Sequence, residues 1–220
     1  MKKNLSAFVL LIALSAAFTS CKDKAKEAET TPEAAIEETH SKTEGVTFNV
    51  DPVASTMEWK GTKPTGEHFG TISFAEGTLV SQQGQISGGN IVIDMNSIVV
   101  VDIPAEDEGN AKLLGHLKND DFFDVENHPT STFEAVDFVE SEGKKELIGN
   151  LTIKGITQKV AVPVTVNQTE NDLTITSETF TIDRTKWDIK YASKSIFGDL
   201  GDKFISDDME FKIVVKATKA

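Results

Sequence analysis

Cysteine and arginine are the scarcest chemically informative residues of this 220-residue chain, with one cysteine and one arginine in all. A lone cysteine, Cys21, excludes an internal disulfide bond. Lysine supplies nearly all of the positive charge, and 35 acidic residues leave a formal net charge of −13. A chain this acidic repels the phosphate backbone, so we expect no nucleic-acid partner.

Catalytic and metal-binding motifs are also missing. The chain contains no Gly-x-Ser-x-Gly, and Gly88-Gly89 precedes neither a helix start nor a Lys-Ser/Thr pair. His40 lies near the N-terminus, while His68, His116 and His128 lack the tight spacing of zinc ligands. We therefore expect no enzyme, no metal site and no cofactor.

The N-terminus has the pattern of an export signal. Lys2 and Lys3 precede an apolar stretch from Ala7 to Phe18, and small residues lead to Cys21. The stretch is too short for a membrane-spanning helix, so residues 1–20 are expected to be a cleaved signal peptide. Cys21 then becomes the lipidated N-terminus, carrying acyl chains such as palmitate. A membrane anchor helix and a free thiol are the alternatives.

Residues 21–45 are expected to form a flexible acidic tether. Residues 22–45 hold seven acidic residues, four lysines and no aromatic side chain. Such a segment buries too little apolar surface to offset the entropy lost on ordering. As a flexible coil it would reach roughly 25–30 Å.

Residues 46–220 form one domain with the period-two pattern of half-buried strands. Val160, Val162, Val164 and Val166 alternate with Ala161, Pro163 and Thr165. Pro163 predicts an edge or a bulge in that strand, because it has no amide hydrogen. One helix is predicted within 107–118, and 120–124 forms a turn that carries Phe122 and Phe123 as apolar plugs. About eight strands around one helix favour a closed antiparallel barrel, with a β-sandwich as the competing fold.

Seven stretches of this domain, in order, resemble the YceI-like family of exported bacterial proteins. They are STMEWKG at 55–61, HFGTI at 68–72, GGNIVIDMNSI at 88–98, HLKNDDFFDVE at 116–126, HP at 128–129, GNLTIKGIT at 149–157 and DRTKWDI at 183–189. The resemblance implies an all-β, eight-stranded, lipocalin-like barrel. It also implies a long isoprenoid chain held inside, with its polar head near the mouth.

A set of inward-phased apolar side chains could line either a ligand tunnel or a filled core. Arg184 is a candidate for holding a phosphate or carbonyl head group, or else pairs internally or stacks on Trp187. The candidate ligand-binding residues are Met57, Trp59, Ile72, Phe74, Ile91, Ile93, Leu151, Ile153, Phe180, Ile182, Arg184, Trp187 and Ile213.

The leading functional hypothesis is a lipid-anchored carrier or store for an isoprenoid-type lipid, such as a polyprenyl phosphate or a prenylated quinone. Two alternatives stay open: a barrel for a fatty acid or fatty amide, and a stress-related or structural interaction module with a packed core. The expected location is the bacterial envelope, with the outer membrane favoured and its periplasmic or surface face undecided. A homodimer is left open.

Overall fold

A computed structural model describes residues 26–28, 30–32, 45–141 and 143–220. The predicted signal peptide and Cys21 lie outside these ranges, as does most of the predicted tether. The described residues contain one α-helix, α1 (Glu108–Lys118), and 3₁₀ helices at Arg184–Trp187 and Gly201–Lys203. The strands are β1 (Lys26–Glu27), β2 (Thr30–Pro32), β3 (Val46–Val50), β4 (Thr56–Lys63), β5 (Gly66–Gln82), β6 (Gln85–Val100), β7 (Thr130–Ser141), β8 (Lys144–Ile153), β9 (Ile156–Gln168), β10 (Asp172–Ser177), β11 (Phe180–Asp183) and β12 (Asp208–Lys219).

The strands close into a ring with eight positions. From β4 to β9 each strand pairs antiparallel with the next, and β12 returns to pair with β4. β3 and β4 share the first position, since both pair with β5 and β12. β10 and β11 are the two halves of one bent strand beside β12. The prediction of an eight-stranded antiparallel barrel with one helix is confirmed, and the β-sandwich is excluded.

Alternating burial follows from the period-two pattern, because successive side chains of a strand point to opposite faces. In β6, Ile91, Ile93 and Met95 are buried while the residues between them are only partly so. The buried apolar side chains of the ring strands belong to one cluster that faces the barrel interior.

Pro163 lies where β9 changes its second neighbour. Val164 pairs with Ser177 of β10, whereas Val160 pairs with Thr30 of β2. The Pro163 carbonyl accepts a hydrogen bond from the Glu178 amide at 3.0 Å. The proline therefore falls at a break in the ladder, where its missing amide hydrogen leaves no partner unpaired, as an edge position requires.

The loops at one end of the barrel carry most of the irregular structure. Asp107 caps α1 by accepting from the Gly109 amide at 2.7 Å. The turn after the helix places Phe122 and Phe123 inside, at 5% and 7% exposure. We call this end, with residues 101–129 and 184–207, the mouth. The opposite end, where β3 covers the barrel, is the closed end.

Two parts of the predicted tether pair with the barrel. β1 runs parallel to β11, and β2 runs antiparallel to β9. In these residues the chain is therefore not a free coil; the rest of 21–45 outside the described ranges stays a prediction. Within the described residues, no helix combines the length and apolar character needed to cross a membrane.

Candidate functional site

The barrel encloses an inner cavity of about 100 Å³ midway along its axis. Apart from Ser131 and Ser177, every side chain that borders it is apolar. The structure gives the position of these side chains, and their binding of a ligand stays a prediction. The cavity is bordered by ten of the candidate residues: Met57, Ile72, Phe74, Ile91, Ile93, Leu151, Ile153, Phe180, Ile182 and Ile213.

Other side chains that border the inner cavity were not among the candidates predicted from the sequence. Val160, Val162 and Val164 of β9 face it, as do Met95 and Leu147. The same alternation that marked the other strands gives their inward phase, so the signal was present in the sequence. The sequence could not show which inward side chains border empty space and which are packed tightly.

A second cavity of about 150 Å³ lies at the mouth. It is enclosed by α1, the turn at 122–123 and the mouth ends of β4, β5 and β12. Ile72, Phe123 and Phe211 border both cavities. The partition between the two cavities thus includes Phe123, which comes from the mouth turn and not from the barrel wall.

The mouth cavity carries the polar groups that the inner cavity lacks. Trp59 lies here, with its indole Nε1 donating to the Val99 carbonyl at 3.2 Å. A Cβ on the facing Gly70 would lie 1.7 Å from that carbonyl oxygen, so only glycine fits opposite the indole. Lys60 also borders the cavity, and Glu210 holds its ammonium at 2.8 Å.

Arg184 borders the mouth cavity with its donors already engaged. The side chain is fully buried, and Nε, Nη1 and Nη2 donate to the carbonyls of Ser206, Ile189 and Ile205 at 3.0, 2.8 and 3.1 Å. Burial lowers the pKa of Arg184, and the negative charge of Asp207 partly opposes this effect. The geometry favours a structural role, in which the guanidinium ties the 188–207 loop to the barrel.

Aromatic packing around Arg184 differs from the predicted stacking on Trp187. The guanidinium carbon lies 5.6 Å from the ring centroid of Phe122. Trp187 is fully buried, donates from Nε1 to the Leu151 carbonyl at 3.0 Å, and borders neither cavity. Trp187 is therefore packed in the barrel wall and contacts neither cavity, so it is not placed where a ligand in these cavities would lie.

His116 holds an unsatisfied polar atom beside the mouth cavity. Its Nε2 is buried and has no hydrogen-bond partner; the nearest carboxylate oxygen, of Asp121, is 4.0 Å away. The ring packs edge-on against Phe122 and Tyr191, with centroids at 5.8 and 4.4 Å. A buried nitrogen of this kind calls for a partner, and a polar group of a ligand in the mouth cavity could supply it.

His68 and Asp102 form a second polar pair at the mouth. The His68 Nδ1 lies 2.7 Å from the Asp102 carboxylate, which also accepts from the Phe69 amide at 3.0 Å. Burial works to raise the pKa of Asp102, but these two contacts outweigh it and hold the pKa below its ordinary value. Across the described residues, no three His, Cys, Asp or Glu side chains converge as metal ligands.

Comparison with known proteins adds a family and a fold. Residues 48–217 match the model of the YceI-like domain. A UPF0312 protein of Pseudomonas aeruginosa is 26% identical over 94 residues, which are 43% of this chain and 46% of that protein. A UPF0312 protein of Vibrio parahaemolyticus is 29% identical over 97 residues, 43% of this chain and 51% of its own. The chain thus spans about half the length of the curated relatives it matches.

Two solved structures share the fold. BcnA of Burkholderia cenocepacia superposes with a TM-score of 0.61 at 22% identity, covering 77% of this chain and 99% of BcnA. A polyisoprenoid-binding domain from Saccharophagus degradans, implicated in plant cell wall breakdown, gives 0.56 at 14% identity, with 80% and 100% covered. At these identities the likeness establishes the barrel architecture.

Proposed function

The chain belongs to the YceI-like family, and we propose that it binds a prenyl-type lipid inside the barrel, as a carrier or store in the bacterial envelope. The observation that carries the proposal is the pair of cavities in line. An apolar inner cavity meets a mouth cavity with polar groups at a partition formed by Ile72, Phe123 and Phe211. That arrangement matches a molecule with a hydrocarbon tail and a polar end.

The inner cavity suits the tail because its lining is apolar apart from the side chains of Ser131 and Ser177. Each Å² of apolar surface removed from water contributes about 25 cal/mol. Cavities of about 100 and 150 Å³ together hold about 17–25 water-sized groups, at about 10–15 Å³ for each group. A methylene group is of similar size, so the space fits a tail of about three to five isoprene units; a longer chain would extend through the mouth.

The polar end of the ligand fits the mouth cavity. His116 offers a buried ring nitrogen that lacks a partner, and a hydroxyl, carbonyl or phosphate oxygen could complete its hydrogen bond. Arg184 and Lys60 have their own partners, so His116 is the better candidate for the contact with the head group. The polyisoprenoid-binding relative from Saccharophagus degradans supports a prenyl chain as the cargo.

Attachment to a membrane would place this barrel beside a source of lipid. We propose that Cys21 carries the acyl chains that anchor the mature protein, with the outer membrane as the expected site. Several acyl chains give stable anchoring, since each buried methylene contributes about 0.8 kcal/mol. Carriage of a prenyl lipid between membranes requires a shield from water, which a closed barrel provides.

Mass spectrometry of an organic extract tests the proposal directly. The full chain is purified from its native envelope without detergent, beside a Ser131→Leu variant that places apolar bulk in the inner cavity. We expect a prenyl lipid at about one molecule per chain in the wild type, and its loss from the variant. Ser131 is buried and does not border the mouth cavity, so the variant leaves the surface unchanged.

Three results would count against the proposal in different ways. A fatty acid or fatty amide in place of the prenyl lipid, again lost from Ser131→Leu, would replace the cargo. Equal lipid in both proteins would indicate material that adheres to the surface. An empty wild-type extract after gentle purification would favour a barrel that acts through its exterior.

A further inference from the structure

The barrel wall has a slot between β9 and β11. The β9–β10 ladder runs as far as the Val164–Ser177 pair and then stops. Beyond it β11 does not pair with β9. Lys26–Glu27 pair with the free edge of β11, and Thr30–Pro32 pair with the free edge of β9. The described residues 26–28 and 30–32 thus lie between two ring strands that do not pair with each other.

The slot lies over the inner cavity. Val160 and Val162 on one flank, and Phe180 and Ile182 on the other, all border that cavity. Ala28 fills part of the wall between them, at 3% exposure, and its amide donates to the Thr181 carbonyl at 2.7 Å. Adjacent strands lie about 4.8 Å apart, so removal of the inserted strand leaves the axes of its two neighbours about 10 Å apart, a gap one strand wide.

Few contacts hold the inserted strand. Ala28 is its single described side chain in the apolar core, whereas each neighbouring ring strand contributes several. The described polar contacts of its side chains are made with Lys186. The ammonium of Lys186 donates to the Thr30 hydroxyl and lies 4.0 Å from the Glu27 carboxylate. Pro32, which cannot donate to a ladder, is the last residue of β2.

Negative charge near the slot further weakens the seating of Glu27. Asp183 ends β11, which flanks the inserted segment, and Asp208 begins β12, the strand on the other side of β11. Burial, followed by the charges of Glu27, Asp183 and Asp207, raises the pKa of Asp208. Glu27 therefore enters an acidic neighbourhood in which Lys186 is the compensating cation.

We propose that residues 26–28 and 30–32 form a removable wall strand, and that its release opens the inner cavity sideways to a lipid ligand. The inference deepens the proposed function and rests on it. Four residues lie between Cys21 and Lys26, so the five steps from one to the other span at most about 18 Å. If Cys21 is acylated, the side opening stays close to the membrane from which a lipid would be taken.

A reversible crosslink across the slot tests this inference. Glu27 and Thr181 are register partners on adjacent strands, whose spacing of about 4.8 Å lies within the Cα separation that a disulfide accepts. The variant Glu27→Cys/Thr181→Cys is made in the full chain with Cys21→Ser, so that it holds a single pair of thiols. Dissociation of a fluorescent geranylgeraniol analogue is timed in the oxidised and the reduced protein.

We expect oxidation to slow dissociation about tenfold or more, and reduction to restore it, since a locked strand closes the side route. The matched control is Thr152→Cys/Thr157→Cys, which crosslinks register partners of β8 and β9 where the wall is already continuous. Its oxidation should leave the rate unchanged. Conversely, Ala28→Asp should speed dissociation about tenfold, because a charge at this buried position would drive the inserted strand out of the slot. Thr47→Asp, at an exposed position of β3, should leave the rate unchanged.

Saturation of the probe separates failure of this inference from failure of the proposed function. Full binding with equal rates in oxidised and reduced Glu27→Cys/Thr181→Cys overturns the removable strand and leaves the lipid site intact. No binding of the probe by wild-type protein overturns the proposed function, and the inference falls with it.

Discussion

The two ends of the barrel are built from the same alternating sequence pattern but reach opposite results. At the closed end Phe48, Leu79, Ile86 and Leu173 are at most 2% exposed, and none of them borders either cavity. Toward the mouth, inward side chains of the same strands leave about 100 Å³ unfilled. The inward phase of a side chain therefore determines whether it is buried, but not how tightly it is packed.

The difference arises from what lies at each end of the barrel. At the closed end β3 continues the wall between β12 and β5, and its buried Phe48 pairs in register with Leu79. At the mouth the covering is a helix and two loops, held by hydrogen bonds such as those from Asn110 to the Val100 and Ile103 carbonyls at 3.1 and 2.7 Å. Apolar packing seals one end, and directional polar contacts position the other.

Truncation of one leucine at each site gives the largest contrast. Leu79→Ala at the closed end should lower the free energy of unfolding by about 3–5 kcal/mol, since it opens a void in a packed region. Leu147→Ala beside the inner cavity should lower it by about 2 kcal/mol, because that side chain already lacks partners on one side. Urea unfolding measures both; equal losses would mean that the inner cavity is packed in solution.

The ring and its helix were predictable because their signals are local. Alternation fixes the inward face of each strand, and Asp107 before the first helical residues marks the start of α1. Pro163 likewise marked an edge position from its own chemistry. In each case the residues that decide the structure lie within one strand or one helical turn.

The remainder depends on contacts between distant parts of the chain. The carbonyl partners of Arg184 come from positions 189, 205 and 206, on a loop without any periodic pattern. Residues 26–32 are charged and lack alternation, so nothing in them predicts a place in the wall. Their pairing depends on a slot formed where β10 bends into β11, which local sequence does not reveal.

Arg184→Lys should have the second-largest effect and act on the mouth alone. A lysine retains the charge but cannot reach three carbonyls with one ammonium, so buried acceptors lose their donors at about 2–4 kcal/mol. We expect equal weakening of prenyl alcohols and plain hydrocarbons, since the loop shifts as a whole. A loss confined to ligands with a polar head, measured by fluorescence competition, would return Arg184 to the role of head-group contact.

His116→Phe should distinguish the contribution of the mouth cavity to ligand binding from that of the inner cavity. The phenyl ring retains the packing against Phe122 and Tyr191 but removes the unpartnered nitrogen. One lost hydrogen bond, about 1 kcal/mol, lowers affinity about fivefold for a prenyl alcohol and leaves the matching hydrocarbon unaffected. Tyr191→Phe is the control, because it keeps the ring beside His116 and alters only an exposed hydroxyl. Equal affinities for wild type and His116→Phe would remove His116 from the site.

Acid should loosen the mouth while the closed end stays packed, and Asp102 provides the smallest and most specific test. Its pKa is held below the unfolded value despite burial, because the Phe69 amide and His68 favour the carboxylate. A lowered folded pKa contributes stability above the unfolded pKa and loses it as the pH falls through the folded pKa. Asp102→Asn should therefore lower stability by under about 1 kcal/mol at pH 7, and the difference from wild type should shrink only as the pH falls below about 4 and vanish below the folded pKa. Hydrogen exchange read at β5 resolves the location: amides near Phe69 should lose protection in acid before those near Leu79. Simultaneous loss of protection along the whole strand would mean that the two ends unfold as one unit. The ends would then differ in structure but not in their free energy of unfolding.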